Sequence, residues 1–88
     1  MKFKLGRLVA TPGALEVLRK NRMDAFALVQ RHHTGDWGDL GRDDKQANES
    51  AVALGDRILS AYMVGGVKMY VKTEADRSST CVLLASEY

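Results

Sequence analysis

A single cysteine, Cys81, in 88 residues excludes an internal disulfide framework and a cysteine-based zinc cluster. It stands in an apolar run, which reads as an inert buried thiol. No apolar stretch reaches the roughly 18 residues needed to span a bilayer, and no leader-peptide pattern is present. A cytoplasmic address without a membrane partner is the expectation. Catalytic signatures are missing too: there is no phosphate-binding glycine loop, no G-x-S-x-G, no H-E-x-x-H and no dinucleotide fingerprint. No cofactor and no metal are therefore expected. Internal repeats and low-complexity stretches are also lacking.

What is there is the composition of an ordinary globule. Hydrophobic residues make up 45% and charged residues 27%, which excludes a disordered tail. The length suits one globular domain, residues 1–88. A domain this small buries only about 60–65% of its unfolded surface, so a twin subunit would help it. The net charge of +2 does not by itself argue for nucleic acid, but its distribution is uneven. Residues 1–22 hold six basic side chains against Glu16 alone, whereas residues 23–56 hold three against seven acidic ones. A polarised surface is one reading and two solvated faces the other.

Phe3 and Leu5 alternate with Lys2 and Lys4 as a half-buried strand would, and Gly6 permits a bend after it. Thr11-Pro12 is a helix start, with Thr as N-cap and Pro at the first helical position, and Asn21 is its stop. A second helix is predicted from Asp24 to His32, anchored by Phe26 and Val29. A turn-rich loop, Thr34-Gly35-Asp36-Trp37-Gly38-Asp39, follows. Asp43 and Gln46 have the spacing of a capping box for a third helix, with Ala47, Ala51 and Leu54 inward and Gly55 as its stop. Residues 58–64, Gly65-Gly66 and residues 67–73 read as a hairpin with a two-residue turn. In that register Val64 faces Val67, Tyr62 faces Met69, Ser60 faces Val71 and Ile58 faces Thr73, all on the core face. A last strand covers residues 79–85. The fold expected is α+β: an antiparallel β-α-α-α-β-β-β sheet with its helices on one face. Leu59, Met63 and Tyr70 then share the opposite face with lysines, a natural dimer interface.

Three groups of residues could carry chemistry. His32 and His33 precede Asp36, which is material for acid–base work; His33 shares the Phe26–Val29 face and is the better candidate. The alternative is a helix C-terminus where histidine meets the last carbonyls. Trp37 either plugs the edge of the core with its N–H bonded or anchors a partner. Glu74, Asp76 and Arg77 exceed what a turn needs: the guanidinium grips a partner or pairs with its neighbouring carboxylates.

The chain resembles a family of small bacterial proteins carried on plasmids and other mobile elements. The resemblance runs through Leu5-Gly6-Arg7-Leu8-Val9-Ala10-Thr11-Pro12 and Arg31-His32-His33-Thr34-Gly35-Asp36-Trp37-Gly38-Asp39. It continues through Leu59-Ser60-Ala61-Tyr62 and Thr73-Glu74-Ala75-Asp76-Arg77-Ser78. It implies a mobile-element accessory protein and carries no catalytic residues with it. The leading expectation is a non-enzymatic binding module, a homodimer acting on a protein partner, with Trp37, Glu74, Asp76 and Arg77 as its binding residues. The alternative is a small hydrolase or nuclease using His33 with Asp36 or Glu74, and Arg77 against a phosphate. A further alternative is weak nucleic-acid binding through the basic first third and the Lys68–Tyr70–Lys72 face.

Overall fold

Thr11 and Pro12 start the first helix as their chemistry demands. In the computed structural model, which describes residues 3–88, Thr11 is extended and its side chain accepts from the Ala14 N–H. Helix α1 runs Pro12–Lys20 and closes at Asn21, whose backbone N–H and side-chain amide both reach the Val17 carbonyl. Helix α2, Ala25–His33, is capped by Asp24, which accepts from the Phe26 N–H. Helix α3 spans Arg42–Leu54 and ends at Gly55, whose φ of 78° is the left-handed conformation that glycine adopts freely.

Strand β1 is Arg7–Ala10, followed after the helices by β2 (Ile58–Val64), β3 (Val67–Thr73) and β4 (Ser79–Leu84). A 3-10 turn, Ala85–Glu87, comes last. The β2–β3 hairpin has the predicted register in all four core-facing pairs, with Gly65 at φ 55° and Gly66 at φ 80°. Such angles belong to the turn whose twist matches the strands. The sheet order is β1-β4-β3-β2. Ala14, Leu18, Leu28 and Val29 pack on Tyr62, Val64, Met69, Val71 and Val82, so the helices lie on one face of an α+β fold.

Several expectations are corrected. The sheet is mixed rather than antiparallel, because β1 runs parallel to β4. The helical crossover between β1 and β2 is long enough to permit this, and β4 has a free edge for β1 to fill. The first strand is not Phe3–Leu5: Gly6, at φ 66°, turns the chain, and the strand begins at Arg7. Lys2, part of the expected alternation, lies outside the described residues. The inner face of α2 is Leu28, Val29 and His32, while Phe26 is 53% exposed. Phe26 instead lines an apolar groove with Leu8, Val9 and Val29. The Asp43–Gln46 capping box does not form, since Gly41 is the N-cap and Asp43 falls in the first turn. Ala47 and Leu54 are exposed; the buried face of α3 is Asn48 and Ala51. Asn48 sets this rotation by pairing its amide with both the N–H and the carbonyl of Leu59 at the β2 edge. The Trp37–Asp39 segment covers the same edge through Ala61. Cys81 is half-buried rather than buried, and that burial pushes its thiol pKa up.

Candidate functional site

The turn and loop that stood out in the sequence are neighbours around one aromatic ring. Phe3 packs edge-on against His32 and His33, with centroids 5.3 and 5.5 Å away, and stacks 6.2 Å from Trp37. The Arg77 guanidinium lies 5.7 Å from the centre of the same ring. The fold therefore gathers His32, His33, Trp37 and Arg77, although 40 positions separate Trp37 from Arg77 in the chain.

His32, which sequence reasoning passed over in favour of His33, is the chemical centre of this cluster. It has no exposed surface, and neither do Ser60, Thr73 and Thr80. Its Nδ1 lies 2.6 Å from Ser60 Oγ and its Nε2 lies 2.8 Å from Thr73 Oγ1. Thr73 Oγ1 is in turn 2.7 Å from Thr80 Oγ1, which donates to the Leu5 carbonyl. That last bond determines every proton in the chain. Thr80 has one hydroxyl hydrogen and gives it to Leu5, so Thr73 must donate to Thr80. Thr73 then has none left for His32, so Nε2 carries the imidazole proton and Nδ1 accepts from Ser60. Burial, reinforced by the charges of His33 and Arg77, lowers the His32 pKa to about 4, which agrees with a neutral ring. Ser–His–Thr is the order of a nucleophile, a base and an orienting group. With both Ser60 and His32 sealed from solvent, the chain acts here as a buried scaffold joining α2 to three strands. Its signal was present in the sequence: Ser60 and Thr73 are polar residues on the predicted core face, each in need of a partner.

The other predicted site residues are engaged in the fold as well. Nε2 of His33 is 2.8 Å from the Phe3 carbonyl. Asp36 accepts from Arg31 Nε at 2.7 Å and from the Gly38 N–H, and the Arg31 guanidinium beside it lowers its pKa. Trp37 is 4% exposed and its indole N–H donates to Glu49, so it plugs the core edge. Glu74 pairs with Lys72 at 3.2 Å. Asp76 turns inward on its own loop, accepting from the Ser78 N–H, and bonding to Ser78 lowers its pKa.

Among the described residues, Arg77 pairs with no carboxylate. Its guanidinium donates to the carbonyls of Asp56 (2.6 Å), Glu74 (3.2 Å) and Ala51 (3.0 Å). It thereby caps the C-terminus of α3 and ties it to the β3–β4 turn. Arg77 holds a left-handed φ of 60°, which costs an arginine about 1–2 kcal/mol. Arg77→Ala is expected to lower the stability by about 2 kcal/mol in urea unfolding, because charge-assisted bonds to three carbonyls are lost. Arg77→Gly should recover about 1 kcal/mol of this by relieving the backbone. Equal midpoints for wild type and Arg77→Ala would show the capping role to be wrong.

Leu59, Met63 and Tyr70 lie on the face of the sheet away from the helices, as their register requires. Met63 is 51% exposed, and Leu59 and Tyr70 are half-buried. Tyr70 is partly covered by Tyr88 of the same chain, at a centroid distance of 5.5 Å. Among the described residues, no three His, Cys, Asp or Glu side chains are grouped to hold a metal ion, and no helix is long and apolar enough to cross a membrane. Compared with known proteins, the chain matches no family model, no curated protein and no solved structure.

Proposed function

We propose that this protein is a non-enzymatic, macromolecule-binding accessory module, the role its resemblance to mobile-element proteins implies. The observation that carries this is the engagement of its reactive groups. His32 is sealed, His33 is bonded to Phe3, Asp36 to Arg31, Glu74 to Lys72, and Arg77 to three carbonyls. The cluster around Phe3 holds elements together, whereas the outer face of the sheet presents side chains to solvent. Pairing of two copies through Leu59, Met63 and Tyr70 is the second reading, favoured by the 51% exposure of Met63.

Pull-down from a native-host lysate tests the proposal with a Met63→Glu/Lys68→Glu variant and a His33→Ala variant. The outer-face variant should lose capture at an unchanged melting temperature, while His33→Ala retains it. Capture indifferent to the outer face would overturn the proposal, as would phosphodiester hydrolysis that disappears in His33→Ala. Light scattering on the same samples decides the second reading, which requires a dimer that Met63→Glu splits.

A further inference from the structure

We infer that the outer face of the sheet binds single-stranded nucleic acid, with Tyr70 and Tyr88 as stacking rings and Arg7, Arg57, Lys68 and Lys72 as contacts to its backbone. This inference rests on the binding-module reading and names the ligand of that same face.

Strand alternation puts Lys68, Tyr70 and Lys72 on the side opposite the core. That alternation supplies one aromatic ring among lysines, and the fold adds a second. The 3-10 turn after β4 brings Tyr88 back against Tyr70, with the ring planes at 87°. Tyr88 is 51% exposed, and the groups over its ring are the mobile heads of Arg57 and Lys72, which a bound strand would draw to its phosphates as a base takes their place. Cations surround the pair: Arg57 is 5.3 Å and Lys72 5.8 Å from the Tyr88 ring centre, and Lys68 is 5.8 Å from that of Tyr70. Across β4 the same face continues to Arg7, which lines a shallow hollow with Val9, Ser78 and Ser79. Two acidic side chains stand close to this face, and both are engaged: Glu74 is paired with Lys72, and Glu87, next to Tyr88, accepts from the Thr11 hydroxyl and the Leu84 N–H.

Charge selects among occupants. Met63 alone would suit a second copy of this chain, the second reading above, but such pairing brings the face's cations like against like, which makes a polyanion the better occupant. A polyanion gains from Arg7, Arg57 and Lys68, and competes with Glu74 for Lys72. The exposed ring selects an unstacked strand over a duplex, because base–aromatic stacking requires a free base face and tolerates any sequence.

Fluorescence anisotropy with labelled single strands of roughly 12 nucleotides, DNA and RNA, against a duplex of the same sequence, tests this. The single strands should bind more tightly than the duplex. Tyr88→Ala should weaken binding about tenfold and Tyr88→Phe less than about twofold, since the ring does the stacking. With Lys72 held by Glu74, the three other cations predict that raising the salt about fourfold weakens binding roughly twentyfold. Absence of binding at about 100 µM protein, a duplex preference, or indifference to Tyr88→Ala would overturn the inference, for stacking is the proposed contact. A dimer that covers the face would overturn it as well. If the oligonucleotides do not bind but the outer-face variant still loses lysate capture, this inference falls and the binding reading stands. If neither assay responds to the face, both fall.

Discussion

Acidification from pH 7 to pH 4 is expected to remove about 3 kcal/mol of folding stability through His32 alone, at about 1.4 kcal/mol per pH unit. The ring is neutral in the folded protein because Ser60 needs its Nδ1 as an acceptor and because burial, with His33 and Arg77 nearby, lowers its pKa from 6.5 to about 4. Above pH 6.5 the ring is neutral in both folded and unfolded chains, so the stability is fully present. Between 6.5 and 4 the unfolded chain takes up a proton that the folded one refuses, and stability falls with pH. Below 4 both states are protonated and no further loss comes from this group. Asp36, Asp76 and Glu16, whose pKa values are lowered by their bonding partners, lose their contributions at lower pH, as each is protonated in the folded state. A loss of this size matters in a domain whose whole stability is on the order of 4–13 kcal/mol. Urea midpoints measured across the range check it, with His32→Gln as the control. An amide can accept from Ser60 and donate to Thr73 but does not titrate, so the slope between pH 6.5 and 4 should flatten. Parallel slopes in the two proteins would show that another group carries the acid sensitivity.

Gly38→Ala should cost about 3 kcal/mol or more. Gly38 has φ 77°, and a methyl group there would overlap the Ala61 carbonyl oxygen and stand 2.5 Å from Cδ1 of the Tyr62 ring. The left-handed backbone contributes about 1–2 kcal/mol and the overlap about 1–3. Neither neighbour can yield easily. Ala61 bonds to Trp37 and Asp39 at the sheet edge, and Tyr62 is buried with its hydroxyl donating to the Asp36 carbonyl. Gly55→Ala separates the two contributions. Gly55 has nearly the same φ, 78°, but nothing lies within 4 Å of an added methyl group. Its replacement should cost only about 1 kcal/mol. Equal losses at the two positions in urea unfolding would mean that the close approach of the loop to β2 is not what Gly38 provides.

The legible part of this fold was its local part. Thr11 and Pro12 act through capping and a fixed φ, Gly55 through its left-handed cap, and Gly65-Gly66 through positive φ angles. Those requirements lie within a few residues of each position, so a single sequence displays them. Period-two alternation then placed Ile58, Ser60, Tyr62 and Val64 on the core face, where they are buried. The same reasoning misjudged α2, because a nine-residue helix with apolar residues on two sides does not declare which side turns inward. Phe26 is the larger hydrophobe, yet the helix is rotated to place His32 between Ser60 and Thr73.

The sequence by itself determined the α+β class, the hairpin and its register, and the helix starts at Thr11 and Asp24. Tertiary structure decided the parallel pairing of β1 with β4, the choice of His32 over His33 as the buried imidazole, the carbonyl partners of Arg77, and the return of Tyr88 to Tyr70. Apart from Glu74, three residues from Arg77, the partners in that second group are far apart in the chain. His32 is 28 residues from Ser60 and 41 from Thr73, and Thr80 is 75 from Leu5. A polar residue at an inward position declares that it needs a hydrogen-bond partner but not which one, because any donor or acceptor brought within about 3 Å will serve. Only the packing of the helices on the sheet selects among them.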